Sequence, residues 1–196
     1  GGSGNDFIKG GAGLDTAVYS GPRSNYTAVG VVASNFSVQS KSGDEGMDTL
    51  PEVERLRFSD GGLAVDVALG SSSGNAVLVV GALLGKAQLS NTGLMTVALN
   101  YFDTKANLLA ACESLVADGT VTGIVGNTST RAFVSLLFQN IVGAQPQGDI
   151  DIITAKVGSG PGQFSTAQLL EAAAMLDLTQ NLVNLTGLSS TGLPFA

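Results

Sequence analysis

No histidine occurs among the 196 residues, which removes both the commonest general base and the commonest zinc ligand. Tryptophan is also missing and aromatic residues make up only 6% of the chain, so a core has to be built from Leu, Val, Ile and Ala. The single cysteine, Cys112, can form neither an internal disulfide nor a thiolate metal cage. It stands at helical spacing with Leu108, Leu109, Leu115 and Val116, which reads as a buried small hydrophobe rather than a reactive thiol. Basic residues are scarce: 9 Lys and Arg face 16 Asp and Glu, the net charge is −7, and the basic residues are scattered, so nucleic acid is not an expected partner. No apolar run approaches the roughly 20 residues of a membrane span. The first residues lack the charged and then hydrophobic regions of a secretory signal. Because the chain opens inside a repeat, it reads as the C-terminal piece of something longer.

What is abundant is glycine, and its placement is periodic. Gly1-Gly2-Ser3-Gly4-Asn5-Asp6-Phe7-Ile8-Lys9 is followed directly by Gly10-Gly11-Ala12-Gly13-Leu14-Asp15-Thr16-Ala17-Val18, so G-G-x-G-x-D-x-U-x, with U apolar, occurs twice. Such glycines let the backbone curl and turn carbonyl oxygens inward, while each Asp adds an anionic oxygen. Oxygen-only donors suit a hard cation, which makes Gly2, Gly4, Asp6, Gly11, Gly13 and Asp15 candidate calcium ligands. A flexible glycine-rich linker is the competing reading, and the shared phase of the two copies argues against it. After each Asp there is room for one short strand, with Ile8 or Ala17 pointing inward.

The period then breaks. Residues 26–40 are rich in β-formers on both sides of Ala33-Ser34-Asn35, which predicts a hairpin. Gly43-Asp44-Glu45-Gly46-Met47-Asp48-Thr49-Leu50-Pro51 then fits the repeat with one glycine lost, adding Gly46 and Asp48 to the candidates; a plain acidic loop is the alternative. Glu54-Arg55-Leu56-Arg57-Phe58 alternates, so Leu56 and Phe58 are expected inward and both arginines outward. Ser59-Asp60-Gly61-Gly62 turns the chain into a closing strand at 63–67, and Asp60 is a late candidate partner for Asp15.

The two nonapeptides, with the stretch Thr49-Leu50-Pro51-Glu52-Val53-Glu54-Arg55-Leu56-Arg57-Phe58-Ser59-Asp60-Gly61, resemble the repeats and terminal cap of RTX (repeats-in-toxin) calcium-binding bacterial exoproteins. The resemblance implies a parallel β-roll in which each repeat makes half a coil and a loop shares its Ca2+ with the loop two repeats away. If the hairpin is an insertion, Asp48 comes to stand above Asp6. The resemblance further implies type I secretion, by a signal near the C-terminus with which the ending Leu193-Pro194-Phe195-Ala196 is compatible, and folding on meeting calcium outside the cell.

Gly70-Ser71-Ser72-Ser73-Gly74 reads as a linker between parts 1–68 and 69–196. It also matches the G-x-S-x-G elbow of serine hydrolases, which without a histidine has no general base. Beyond it the apolar period changes to that of helices, expected at 76–86, 92–102, 105–117, 130–142, 150–157 and 166–176, with a further turn at 179–184. Asn91, Thr104 and Ser129 are candidate N-caps, and Ser165 with Gln168 makes a capping box. This half resembles, through Arg131-Ala132-Phe133-Val134-Ser135-Leu136-Leu137-Phe138-Gln139-Asn140-Ile141-Val142-Gly143, a helical domain of unknown function that often accompanies RTX repeats. It carries no Asp-rich glycine loop and is expected to fold without metal.

The expected protein is therefore α+β in two parts: a short RTX-type roll with a hairpin and capping strands, then an all-α domain. Its expected role is non-catalytic, as a secreted or cell-surface module of an adhesin or surface-layer protein that contacts copies of itself or a cell-surface partner. An export and folding appendage of an RTX protease or lipase, whose catalytic domain lies upstream, is the alternative.

Overall fold

A computed structural model describes residues 2–31 and 35–196 and shows an α+β protein with two small sheets and, among the described residues, nine α-helices. The first sheet has the order β1 (Thr16–Val18), β5 (Arg55–Phe58), β6 (Gly61–Ala64), β7 (Leu193–Phe195). Its β1 and β5 run parallel with Ala17 opposite Leu56, and its other pairs are antiparallel. In the second, β2 (Tyr26–Val31), β3 (Asn35–Ser40) and β4 (Met47–Leu50) are antiparallel. The expected hairpin is thus present as β2 and β3, while Ala33 and Ser34 of its turn lie outside the described residues. Among the described residues parallel pairing consists of β1 with β5 and two lone bridges, Phe7 to Thr49 and Val157 to Phe164, which falls short of a parallel β-roll.

Alternation explains the β core. Phe36 and Val38 of β3, Leu50 of β4, Leu56 and Phe58 of β5 and Leu63 of β6 point into one apolar cluster, each at most 3% exposed. Arg57 is exposed as expected, but Arg55 is not: it is only 4% exposed and forms ion pairs with Asp66 (2.5 Å) and Asp103 (2.6 Å). The face of β5 opposite Leu56 is roofed by the helical half instead of water, so a charge there has to be neutralised.

The helical half is built around α1 (Ser72–Leu84), which is buried continuously from Ser73 to Leu83 and packs on several neighbours. The residues expected to form a linker are its beginning: the Ser71 side chain accepts from the Gly74 N–H, and Ser73 and Gly74 are buried. Around it stand α2 (Thr92–Phe102), α5 (Thr130–Val142), α7 (Thr166–Met175) and α8 (Asp177–Leu182), with α3 (Leu108–Ala117) packed on α7. Asn91, Ser129 and the Ser165/Gln168 box cap as expected. Thr104 does not: its hydroxyl donates to the Tyr101 carbonyl of the preceding helix, and Asn107 caps α3. Two short helices, α4 (Thr120–Val125) and α9 (Leu185–Thr191), were not expected, and α6 spans Gln147–Ala155.

The two halves share structure. Ala64 and Val67 belong to the helical core, as does Leu193 of β7, which is 1% exposed. The ring of Phe195 lies over Gly62, where a Cβ would come within 2.2 Å of it. A fragment starting at residue 70 would leave β7 without β6, and Asp103 without Arg55.

Cys112 is wholly buried, and burial, with Glu171 and Glu113 nearby, pushes its thiol up to about 12. A thiolate is therefore scarce near neutral pH, and thiol reagents are expected to label the folded protein no faster than it unfolds. Rapid stoichiometric labelling under native conditions would contradict this placement.

Candidate cation site at the glycine-rich loops

The first and third glycine-rich phrases meet. Gly4 and Gly46 have φ of 109° and 72°, and a Cβ on Gly46 would lie 2.4 Å from the Gly4 carbonyl oxygen, so a side chain there would push the loops apart. Just beyond, the Met47 N–H donates to Asn5 Oδ1 (2.8 Å), the Asp6 N–H to Asp48 Oδ1 (3.0 Å), the Thr49 N–H to the Asp6 carbonyl (2.8 Å) and the Ile8 N–H to the Thr49 carbonyl (2.9 Å). Asp6 and Asp48 are thereby brought together across 42 residues of sequence. Asp48 is 4% exposed, and its second oxygen accepts the hydroxyl of Tyr19 at 3.0 Å. Burial first, then the facing Asp48 carboxylate, push the Tyr19 hydroxyl far above its ordinary value, which keeps it a donor.

The second phrase repeats the pattern with a different partner. The Asp15 N–H donates to Glu54 Oε2 (2.8 Å), and the Asp15 carbonyl accepts from the Arg55 N–H (3.0 Å). Asp60 is instead exposed and accepts the Arg23 N–H (2.8 Å), at the start of a 3₁₀ turn. Gly2, Gly11 and Gly13 have φ of 120°, 98° and 116° and lie in the bends before Asp6 and Asp15. Glu54 and Tyr19 were missed by the sequence reading. Tyr19 was discoverable, since it continues the inward alternation of Ala17; Glu54 immediately precedes β5, in a stretch read only for its apolar face.

Asp6 Oδ2 and Asp15 Oδ2 are buried and have no hydrogen-bond partner, an arrangement that costs free energy unless something positive answers it. Among the described residues no group of three or more His, Cys, Asp or Glu side chains is close enough to hold a metal. Backbone hydrogen bonds bring Asp6 to Asp48 and Asp15 to Glu54, two acidic residues at each step, so a cation would have to complete its shell from backbone carbonyls of the glycine bends. With oxygen as the only donor atom, the set fits a hard ion such as Ca2+ and offers nothing to a soft one.

Two concavities lie nearby or apart. A cleft of 580 Å³ opens beside the first pair, bounded by Gly2, Ser3, Tyr19, Asp44, Glu45 and Asp48. A smaller apolar groove of 230 Å³ runs between α5, α6 and α7, with Phe138, Ile153 and Leu176 on its walls. No helix among the described residues is long and apolar enough to cross a membrane. The fold and site thus define an α+β protein in which the Asp48 and Glu54 carboxylates accept the backbone N–H groups of Asp6 and Asp15 beside glycine-rich bends. No family model matches the chain, and no curated protein or solved structure is significantly similar to it.

Proposed function

We propose that this chain is a non-catalytic, calcium-binding C-terminal module of a secreted bacterial RTX protein, folding on calcium after type I export and serving a structural or adhesive role at the cell surface. The observation that carries the reading is the meeting of Asp6 with Asp48, with Asp6 Oδ2 buried and unanswered beside bends of positive-φ glycine. Charge supports it: residues 1–66 hold nine acidic and five basic side chains, so the loops repel one another until a cation bridges them. Ca2+ would be held by Asp6 and Asp48 at one step and by Asp15 and Glu54 at the other. It supplies a bridging positive charge and no chemistry on a substrate. Export before folding agrees with the terminal strand, since β7 finds its partner β6 far upstream in the chain.

The test is thermal unfolding of the whole chain, followed by circular dichroism, in chelator and in calcium. A site of extracellular type has an affinity on the order of 10⁻⁴ to 10⁻³ M. In 10 mM calcium, about a 10- to 100-fold excess over such a Kd, each site contributes about 1.4–2.7 kcal/mol, a rise in Tm of roughly 3–10 °C for a chain of this size. Superimposable curves in chelator and in millimolar calcium would remove the reading.

A further inference from the structure

The carboxylates that meet the two repeat aspartates, Asp48 and Glu54, are not held alike. Glu54 is held at one oxygen, by the Asp15 N–H, and among the described residues no donor reaches the other. Asp48 is held at both: Oδ1 by the Asp6 N–H and Oδ2 by the Tyr19 hydroxyl. Tyr19 is itself fixed. It is 8% exposed, its N–H donates to the Arg57 carbonyl at 2.8 Å, and its ring packs against Tyr26 and Phe58 with centroids 5.0 and 5.6 Å away. A tyrosine clamped at backbone and ring has little freedom left in its hydroxyl, so the plane of the Asp48 carboxylate is set before any ion arrives. Each carboxylate oxygen has two lone pairs, so both hydrogen bonds leave capacity for a cation.

We infer that Tyr19 is a positioning residue: it orients Asp48 toward a cation shared with Asp6, and makes that site tighter than the one at Asp15 and Glu54. The inference rests on the proposed calcium reading and adds a group outside the glycine-rich phrases. Preorganisation accounts for its direction, because the entropy of fixing the Asp48 side chain is lost on folding instead of on binding. Groups that orient a ligand from behind commonly change metal affinity about 10- to 100-fold.

The experiment uses the full chain and Ca2+ alone, titrated by calorimetry and by the rise in Tm. Tyr19→Phe keeps the ring and deletes the donor. The half-saturating calcium of the tighter site is expected to rise about tenfold. In an Asp48→Asn background the same change is expected to leave the calcium midpoint where it was. A purely structural tyrosine would lower Tm equally with and without calcium and leave the midpoint unmoved, and that result overturns the inference while sparing the calcium reading. A wild-type chain with no calcium response overturns both. Should Tyr19→Phe fail to fold, the double variant Tyr26→Phe/Tyr101→Phe makes Tyr19 the sole tyrosine of the three in the chain. Its ultraviolet difference spectrum is then expected to follow the tighter calcium step. A flat spectrum through a calcium-stabilised transition sinks the proposal.

Discussion

Arg55→Ala is expected to lower the free energy of unfolding by about 3–5 kcal/mol, because removing one member of a buried ion pair strands the others. Arg55 joins three places that are distant in sequence: it rises from β5, meets Asp66 just after β6 and reaches Asp103 at the end of α2. Asp66 Oδ2 also accepts the Ser73 N–H and Asp103 Oδ1 the Ser72 hydroxyl, so both acids are tied to the first turn of α1 as well. Without the guanidinium the two carboxylates would face each other unneutralised at the seam between sheet and helices. The triple variant Arg55→Met/Asp66→Asn/Asp103→Asn, which removes the charges together, is expected to regain much of the loss, since desolvation of the ions opposes their attraction. Denaturant titration of the three proteins reads both effects. A cost for Arg55→Ala of under about 1 kcal/mol, in the range of surface ion pairs, would mean that this seam is open to water.

Asp48→Ala is expected to act twice. In chelator it leaves the Tyr19 hydroxyl and the Asp6 N–H without an acceptor in a buried place, at about 1–3 kcal/mol for each stranded group, to be read as a fall in Tm. In calcium it should also abolish the increment in Tm that belongs to the first site. Asp6→Ala is expected to abolish the same increment, and the double variant to lose little more of it than either single, as two ligands of one ion must. Asp60→Ala, by contrast, removes an exposed acceptor from the Arg23 N–H and should leave the calcium increment intact. A wild-type calcium response in Asp48→Ala, or full additivity of the two singles, would reduce residues 43–51 to an ordinary acidic loop.

Legibility followed the range of the forces involved. The bounds of α2 and α5 could be read directly because Asn91, Ser129 and Gly143 act within one turn of the helix they end. The start of α3 could not, because Thr104 and Asn107 are both of cap-forming type, and the Tyr101 carbonyl offered by the previous helix takes the Thr104 hydroxyl and leaves the cap to Asn107. Helices α4 and α9 have six and seven residues, too few to display a period. At the loops, the spacing of the glycine-rich phrases led to Asp6 opposite Asp48. It led wrongly to Asp60 for Asp15, because the offset between facing residues is 42 at the first step and 39 at the second. The pairing of Thr16 with Arg55 sets that second offset, placing Glu54 beside Asp15.

By itself the sequence determined the α+β class, the hairpin, the apolar faces and the two acidic loops that meet, because each follows from residue type and spacing over a few neighbours. The tertiary structure alone decided that an arginine of the expected solvent face is buried, that the serine-rich stretch begins the central helix, and that the last strand closes the first sheet. The period-2 pattern says which residues share a face of a strand and is silent on what covers that face. Alternation places Arg55 opposite Leu56 either way. Only the packing of the helical half, with Asp66 and Asp103 arriving from elsewhere in the chain, turns that face into an interior.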